Sequence, residues 1–207
     1  NGLVDLLTDN MTASTLYPII HLKTDDIEIA FTHTDQYGEE YYSFVNGQHT
    51  TQGGTHQSAF KELVAQTIHD FFSAKNFEYC DIRNGIVAAI AVNIQEPVFE
   101  SQTKVKLGSK DMSPEGGLSV NKFVGDFIKS NVDNYLHMNL DVAEILQQKI
   151  QESEKERKAY KKQAREKITE YVDYYGRKMG VSYGRIAIKE QKTCWGKKSM
   201  TKYRQFH

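Results

Sequence analysis

The sequence is poor in the residues that staple a chain together. It has two cysteines, Cys80 and Cys194, far apart and in no CxxC pair. That excludes a disulfide-stapled scaffold and points to reduced thiols in a cytoplasmic protein. Long apolar runs are also missing. The longest, IVAAIAV at 86–92, falls well short of the roughly 18 residues a membrane span needs. The first residues, NGLVDLLTDN, lack the basic region and apolar block of a signal peptide. They also lack an initiating Met, so the sequence reads as starting inside a longer protein. No HExxH, P-loop or GxSxG is present, and no context points to a Ser/His/Asp or Cys/His arrangement. There is one tryptophan, Trp195, a large apolar anchor in a basic tail. No internal repeat is visible.

What is there is enough to fold. The 207 residues are 39% hydrophobic and 26% charged, which fits one large domain or a domain plus an appendage. The net charge of −1 hides a split: residues 1–150 hold 10 Lys+Arg against 20 Asp+Glu, and the rest hold 16 against 7. A basic C-terminal end is compatible with nucleic acid and equally with a solvated helix of mixed charge.

Hydrophobic periodicity predicts a short helix over 3–12, then strands at Tyr17–Leu22, Ile27–Thr32 and Tyr41–Val45. The turn signals Asp35–Gly38 and Asn46-Gly47 make these an antiparallel meander with one buried face. Thr55 is the expected N-cap of a helix carrying Phe60, Leu63, Val64, Thr67, Ile68 and Phe71 on one side. Ile86–Ile94 reads as a central strand covered on both faces. A second helix follows Gly116-Gly117, with Val120, Phe123, Val124, Phe127, Ile128 and Val132 sharing a face. The expected class is α+β, a mixed sheet with helices on one face. From Asp141 a long polar helix with a thin apolar stripe (Leu146, Ile150) runs to about Tyr175, as a helix does that projects from a domain or bridges two. A short strand, Arg185–Ile188, and a basic tail follow.

One stretch raises a chemical question. In FESQTKVKLG (99–108) an extended chain would point Gln102, Lys104 and Lys106 the same way. Lysines there can guard a strand edge against aggregation, or one can be held out as a point charge for a phosphate. Spacing alone leaves both open. His49 and His56 flank Gly53-Gly54, but no third metal ligand lies nearby, so a polar loop that fixes a helix start is the expected role.

Three separated stretches carry a resemblance: FVNGQHTTQGGTHQSAFKE (44–62), DIRNGIVAAIAVNIQEPVFESQTKVKLG (81–108) and KIQESEKERKA (149–159). In this order they resemble the transducer domain of the B subunit of bacterial type IIA DNA topoisomerases, and are more similar to topoisomerase IV than to gyrase. The resemblance covers residues 1–159. It implies the β-α-β transducer fold of the GHKL-type ATPases. It also implies that Gln102, Thr103 and Lys104 form a loop reaching into an ATP-binding domain. There Lys104 would meet the γ-phosphate, Gln102 would assist and Thr103 would support the loop. ATP with Mg2+ would be the cofactor of the full-length enzyme, with none bound to this part alone. DNA, the topoisomerase A subunit and a second copy in a homodimer would be partners, with no membrane involved. The ATP-binding and metal-binding domains would lie outside the sequence, so this part alone would neither hydrolyse ATP nor cut DNA. Lys161, Lys162 and Arg165 on the long helix would be candidates to line the DNA path.

Residues 160–196 are similar instead to small zinc-dependent hydrolases with a Trp-Gly-Ser-Cys-Ser signature. Here Trp195-Gly196 is followed by Lys197-Lys198, so no metal ligand carries over. The expected division is a transducer domain at 1–138, a long helix at 139–180 and a basic tail at 181–207. A fragment of such a hydrolase, or an interaction module without a nucleotide role, are the alternative readings.

Overall fold

The computed structural model describes residues 2–73, 77–184 and 186. Ten elements follow in chain order: α1 (Leu3–Asn10), β1 (Ile20–Lys23), β2 (Ile27–His33), β3 (Glu39–Val45), β4 (Gln48–His49), α2 (Thr55–Phe72), α3 (Tyr79–Arg83), β5 (Ile86–Val92), α4 (Val120–Met138) and α5 (Leu140–Met179). Of the strand expected at Arg185–Ile188 only Ile186 is described, and Trp195 and the rest of the basic tail from 187 on fall outside the described residues. The chain divides at Arg157 into two units, with Lys158 opening the second.

The five strands form one mixed sheet in the order β1-β2-β5-β3-β4. This corrects the expected meander. β2 and β3 do not pair, because β5 lies between them, antiparallel to β2 and parallel to β3. The reason lies in composition. IVAAIAV is apolar on both faces, and only the sheet centre hides both faces from water. β3 has the pattern of a less covered strand, with Glu39 and Glu40 exposed at its start.

Side chains alternate across the sheet. Ile27, Ile29 and Phe31 of β2 share a face with Ile86, Ala88, Ile90 and Val92 of β5. On that face lie Phe60, Val64 and Ile68 of α2, Val124, Ile128 and Val132 of α4, and Val142, Leu146 and Ile150 of α5. Phe60 sits between Phe31 and Tyr41, edge-on to each at 6.2 Å between centroids, the favoured aromatic geometry. The opposite face, with Ala30, Val87 and Ala89, is covered by Leu3 and Leu7 of α1. Both faces of β5 are therefore buried, as its composition predicts.

The entry to β5 is tight. Thr34 N–H donates to the Gly85 carbonyl at 2.8 Å and Gly85 N–H to the Gly38 carbonyl at 2.7 Å, so the β2–β3 connection arches over the start of β5. Gly85 has φ +85°, and a Cβ there would lie 2.5 Å from the Thr34 carbonyl oxygen. Only glycine fits both constraints.

Two polar groups are buried close by. His33 accepts from the Tyr17 hydroxyl at Nδ1 (2.5 Å) and donates from Nε2 to the Ile82 carbonyl (2.7 Å). Desolvation holds its pKa down at about 4, with the nearby Lys149 charge adding to the effect and the Ile82 bond opposing it. The unfolded chain, with a histidine near 6.5, takes up a proton that the folded chain refuses. His33 therefore adds no penalty above pH 6.5, and stability falls as pH drops from 6.5 toward 4. The expected slope is about 1.4 kcal/mol per pH unit at most. Urea denaturation between pH 7.5 and 4.5 measures it, and a His33→Gln variant should lower the slope by this amount.

The first eighteen residues of α5 belong to the folded unit rather than standing clear of it. Val142, Ala143, Leu146, Ile150 and Ser153 are all buried. Arg157 reaches α3, with Nε at 2.6 Å from Asp81 Oδ1, Nη2 at 2.8 Å from Asp81 Oδ2 and Nη1 at 2.5 Å from Glu78 Oε1. Asn84 Nδ2 donates to Ser153 Oγ at 3.0 Å, while Asn84 Oδ1 accepts from Gly38 N–H at 3.1 Å. The Asp81–Gly85 stretch is thus a seat for α5, a role that its turn-like spelling does not announce.

Candidate functional site

After β5 the chain leaves the sheet and returns as a narrow arm spanning residues 98–109. Its two sides are joined by the Glu100 N–H to Lys106 carbonyl bond (3.0 Å), by the Gly108 N–H to Val98 carbonyl bond (2.8 Å) and by an antiparallel bridge between Phe99 and Leu107. Lys106 is not held out. Its Nζ lies 2.9 Å from Glu100 Oε2 and clamps the arm across its width.

The tip is a tight turn from Ser101 to Lys104, closed by the Lys104 N–H to Ser101 carbonyl bond at 3.0 Å. Ser101 and Thr103 hydroxyls meet at 2.8 Å. Lys104 has φ +55°, a left-handed conformation uncommon for a residue with a Cβ. This corrects the extended alternation expected for Gln102, Lys104 and Lys106, because the chain reverses at Lys104 instead of continuing as a strand. Gln102, Thr103 and Lys104 are all exposed. Lys104 Nζ lies 6.0 Å from the Phe99 ring centroid, at the outer limit of a cation–π contact.

What aims the arm is the Gly-Gly loop ahead of α2. Gln52 N–H donates to the Val105 carbonyl (2.9 Å), Leu107 N–H to the Gly53 carbonyl (3.0 Å) and Thr55 N–H to the Leu107 carbonyl (3.3 Å). The Thr55 hydroxyl donates to the Ser109 carbonyl at 2.7 Å. Thr55 is therefore not the helix cap expected from its position. Gly54 is the N-cap, without a side-chain cap bond, and the threonine hydroxyl serves the arm instead. Leu107 plugs into the core with 1% of its surface exposed.

Gly54 is what lets the two segments touch. Its φ is +136°, and a Cβ would meet the Leu107 carbonyl oxygen at 2.5 Å and the Leu107 nitrogen at 2.6 Å. Gly54→Ala should push the arm off its platform and cost about 2 kcal/mol. Hydrogen exchange of the Leu107 amide reads this directly. Unchanged protection would show that the contact is not needed to hold the arm.

Beneath the platform lies a buried polar network. The Thr50 hydroxyl donates to the Ser43 carbonyl (2.8 Å), Ser43 Oγ donates to Gln57 Oε1 (2.9 Å), and His56 Nε2 lies 3.3 Å from Thr50 Oγ1. His56 is fully buried. Desolvation pushes its pKa down to about 4, so it is neutral at pH 7.

The structure thus joins the base of the arm, at Val105, Leu107 and Ser109, to Gln52, Gly53 and Thr55 about fifty residues earlier, and leaves Gln102, Thr103 and Lys104 at the arm's tip. It does not bring His49 and His56 into a metal site: His49 stacks on Phe44 at 4.8 Å, and His56 is buried against Thr50. Among the described residues no group of three His, Cys, Asp or Glu side chains is placed to hold a metal ion. What the tip of the arm presents is the exposed Lys104 ammonium with amide and hydroxyl groups beside it, a set that suits an anion. Lys161, Lys162 and Arg165 belong to the second unit, on α5, where Lys162 and Arg165 are exposed and Lys161 is partly covered. The seat of α5 and the Glu100–Lys106 clamp were missed by sequence reasoning. Their one signal was opposite charge at a separation that only a fold can close.

Comparison with known proteins places the chain in a family. A family model described as DNA gyrase B matches residues 2–167. The B subunit of DNA topoisomerase IV from Borreliella burgdorferi is 38% identical over 171 residues, covering 81% of this chain and 27% of that protein. The B subunit of DNA gyrase from Helicobacter pylori is 33% identical over 174 residues, covering 78% of this chain and 22% of that protein. The chain therefore spans about a quarter of the length of these relatives. Among solved structures, the ATPase domain of Thermus thermophilus gyrase B, crystallised with an aminocoumarin, superposes with a TM-score of 0.65 at 24% identity. That match covers 80% of this chain and 46% of the other. The topoisomerase IV ATP-binding domain of Francisella tularensis, in complex with a small-molecule inhibitor, gives 0.60 at 22% identity, covering 75% and 43%. These two likenesses establish the fold, and the family match over residues 2–167 establishes the lineage: the chain belongs to the DNA gyrase B family.

Proposed function

We propose that this chain is the transducer part of the B subunit of a type IIA topoisomerase, of the topoisomerase IV kind, and that its arm senses the terminal phosphate of ATP. The observation that carries the reading is Lys104. It is an exposed cation in a left-handed turn, at the tip of an arm whose base is bonded at four points to the Gly-Gly platform. A solvated lysine needs no such support. A lysine that must meet one oxygen does, because positioning before contact lowers the ordering cost of the contact.

In this reading Lys104 supplies a point charge to the γ-phosphate, Gln102 donates from its amide, and Thr103 stabilises the turn through Ser101. ATP with Mg2+, bound in a domain outside this chain, supplies the phosphoryl group whose hydrolysis drives strand passage. The lysine contact exists with ATP and not with ADP, so the arm is held in one nucleotide state and released in the other. Residues 1–138 would be the transducer, 139–180 the helix leading toward the DNA gate and 181–207 a basic tail. DNA, the A subunit and a second copy of the full-length protein would be the partners, in the cytoplasm. Lys161, Lys162 and Arg165 are proposed DNA-path residues, and a salt-dependent loss of DNA affinity on their replacement would support this. The hydrolase alternative gains no support from these relatives, and its Trp195-Gly196 signature lies outside the described residues. The reading is tested in the full-length protein carrying Lys104→Ala: ATP-driven relaxation should be lost, and normal relaxation overturns the assignment.

A further inference from the structure

The platform that aims the arm is itself held by a buried histidine. Gly53 N–H donates to the Thr50 carbonyl at 2.8 Å, and Thr50 N–H donates to the Ser43 carbonyl at 2.8 Å. Thr50 is thus the post on which the Gly-Gly loop turns. Its one hydroxyl proton faces Ser43, whose carbonyl lies at 2.8 Å and whose Oγ, itself donating to Gln57 Oε1, lies at 2.7 Å. The remaining contact, His56 Nε2 at 3.3 Å, therefore requires the histidine to donate and Thr50 Oγ1 to accept. That assigns the proton to Nε2 and leaves Nδ1 bare. Nδ1 is buried and has no partner among the described residues. The tautomer matters, because a bare acceptor nitrogen is the cheaper of the two groups to leave unsatisfied. A hydrocarbon of similar size would fill this space without that penalty.

We propose that His56 is a positioning residue for the phosphate sensor: its Nε2–H holds Thr50, Thr50 holds the Gly53 turn, and the Gly53–Leu107 bond sets where Lys104 stands. Each link is a hydrogen bond within the folded unit of residues up to Arg157. Ser43 braces the same post from the sheet, and Gln57 of α2 in turn accepts from the Ser43 hydroxyl. The lowered pKa of His56 fits this role, since protonation would add a second N–H with nowhere to point. The inference rests on the reading of Lys104 as the sensor of the terminal phosphate.

The test uses the full-length protein and measures affinity for β,γ-imido-ATP relative to ADP. His56→Leu fills the space without the donor, while His56→Gln restores an N–H near the Nε2 position. The expected result for His56→Leu is a fall of about tenfold in the ratio, from a small displacement of Lys104, with ADP affinity kept within about twofold. His56→Gln should recover most of it. A merely structural histidine would lower thermal stability and leave the ratio alone, and that outcome overturns the proposal. If His56→Leu fails to fold, Thr50→Val keeps the ring and removes the hydroxyl it reaches. The same fall in the ratio supports the proposal, and an unchanged ratio overturns it. Lys104→Ala runs alongside. If it leaves the ratio unchanged, the sensor reading itself has failed; if only the His56 and Thr50 variants leave it unchanged, the sensor stands and the positioning role does not.

Discussion

Lys104→Ala in the full-length protein is expected to lower kcat for ATP hydrolysis by about 100-fold or more, the usual cost of removing one preorganised group that stabilises charge on a transferring phosphoryl. Affinity for ADP should stay close to wild type, because the proposed contact is with a phosphate that ADP lacks. The variant should also fold normally. The arm is held by backbone bonds from Gln52, Gly53 and Thr55 and by the buried Leu107, none of which involves the Lys104 side chain. Lys104→Gly is a useful companion, since glycine accepts φ +55° without strain and removes the same charge. If both variants lose activity to a similar extent, the charge is responsible rather than the turn geometry. Lys104→Arg should recover only part of the rate, because a planar guanidinium presents its donors differently from a compact ammonium. Steady-state ATPase and supercoil relaxation measured together decide the matter.

The second large effect is expected from Arg157→Ala, which should destabilise the folded unit by about 4 kcal/mol. Asp81 is 2% exposed, and its carboxylate accepts from Arg157 Nε and Nη2 and from the Glu78 backbone N–H at 2.9 Å. Removing the guanidinium strands a buried charge with one remaining donor. That is the costly way to break a buried pair. The close carboxylates, with the Asp81 bond first among causes, also hold the Arg157 pKa above its ordinary value. Arg157→Lys should rescue little, since an ammonium cannot bond both Asp81 oxygens at once. The double variant Asp81→Asn with Arg157→Ala should recover part of the loss by removing the stranded charge. Urea denaturation of this chain measures all of these. A loss under about 1 kcal/mol would place the pair with ordinary surface ion pairs.

Much of the fold was legible in the residues. The spacing of Phe60, Val64 and Ile68 marked α2, and that of Val120, Val124, Ile128 and Val132 marked α4, because a buried helix face repeats at 3.6 residues whatever it packs on. IVAAIAV marked a strand covered on both faces for the same kind of reason. Strand order was not legible. The turn signal at Asp35–Gly38 fits a hairpin, and local chemistry cannot say that a strand fifty residues later will enter between its arms.

The candidate site divides in the same way. The proposal of Gln102, Thr103 and Lys104 as the site came from their company with two other stretches, and composition alone would have left Lys104 as one exposed lysine among many. What those residues are attached to was decided only in three dimensions. Hydrophobic period and turn chemistry act over a few residues, so the sequence by itself determined the helices, the buried central strand and the family resemblance. Contacts such as Gly54 against Leu107, Asn84 against Ser153 and Asp81 against Arg157 depend on which distant surfaces the folded core brings within 3 Å or so of each other. Tertiary structure alone decided that the Gly-Gly loop carries the arm, that a buried histidine braces that loop, and that the start of the long helix is part of the core.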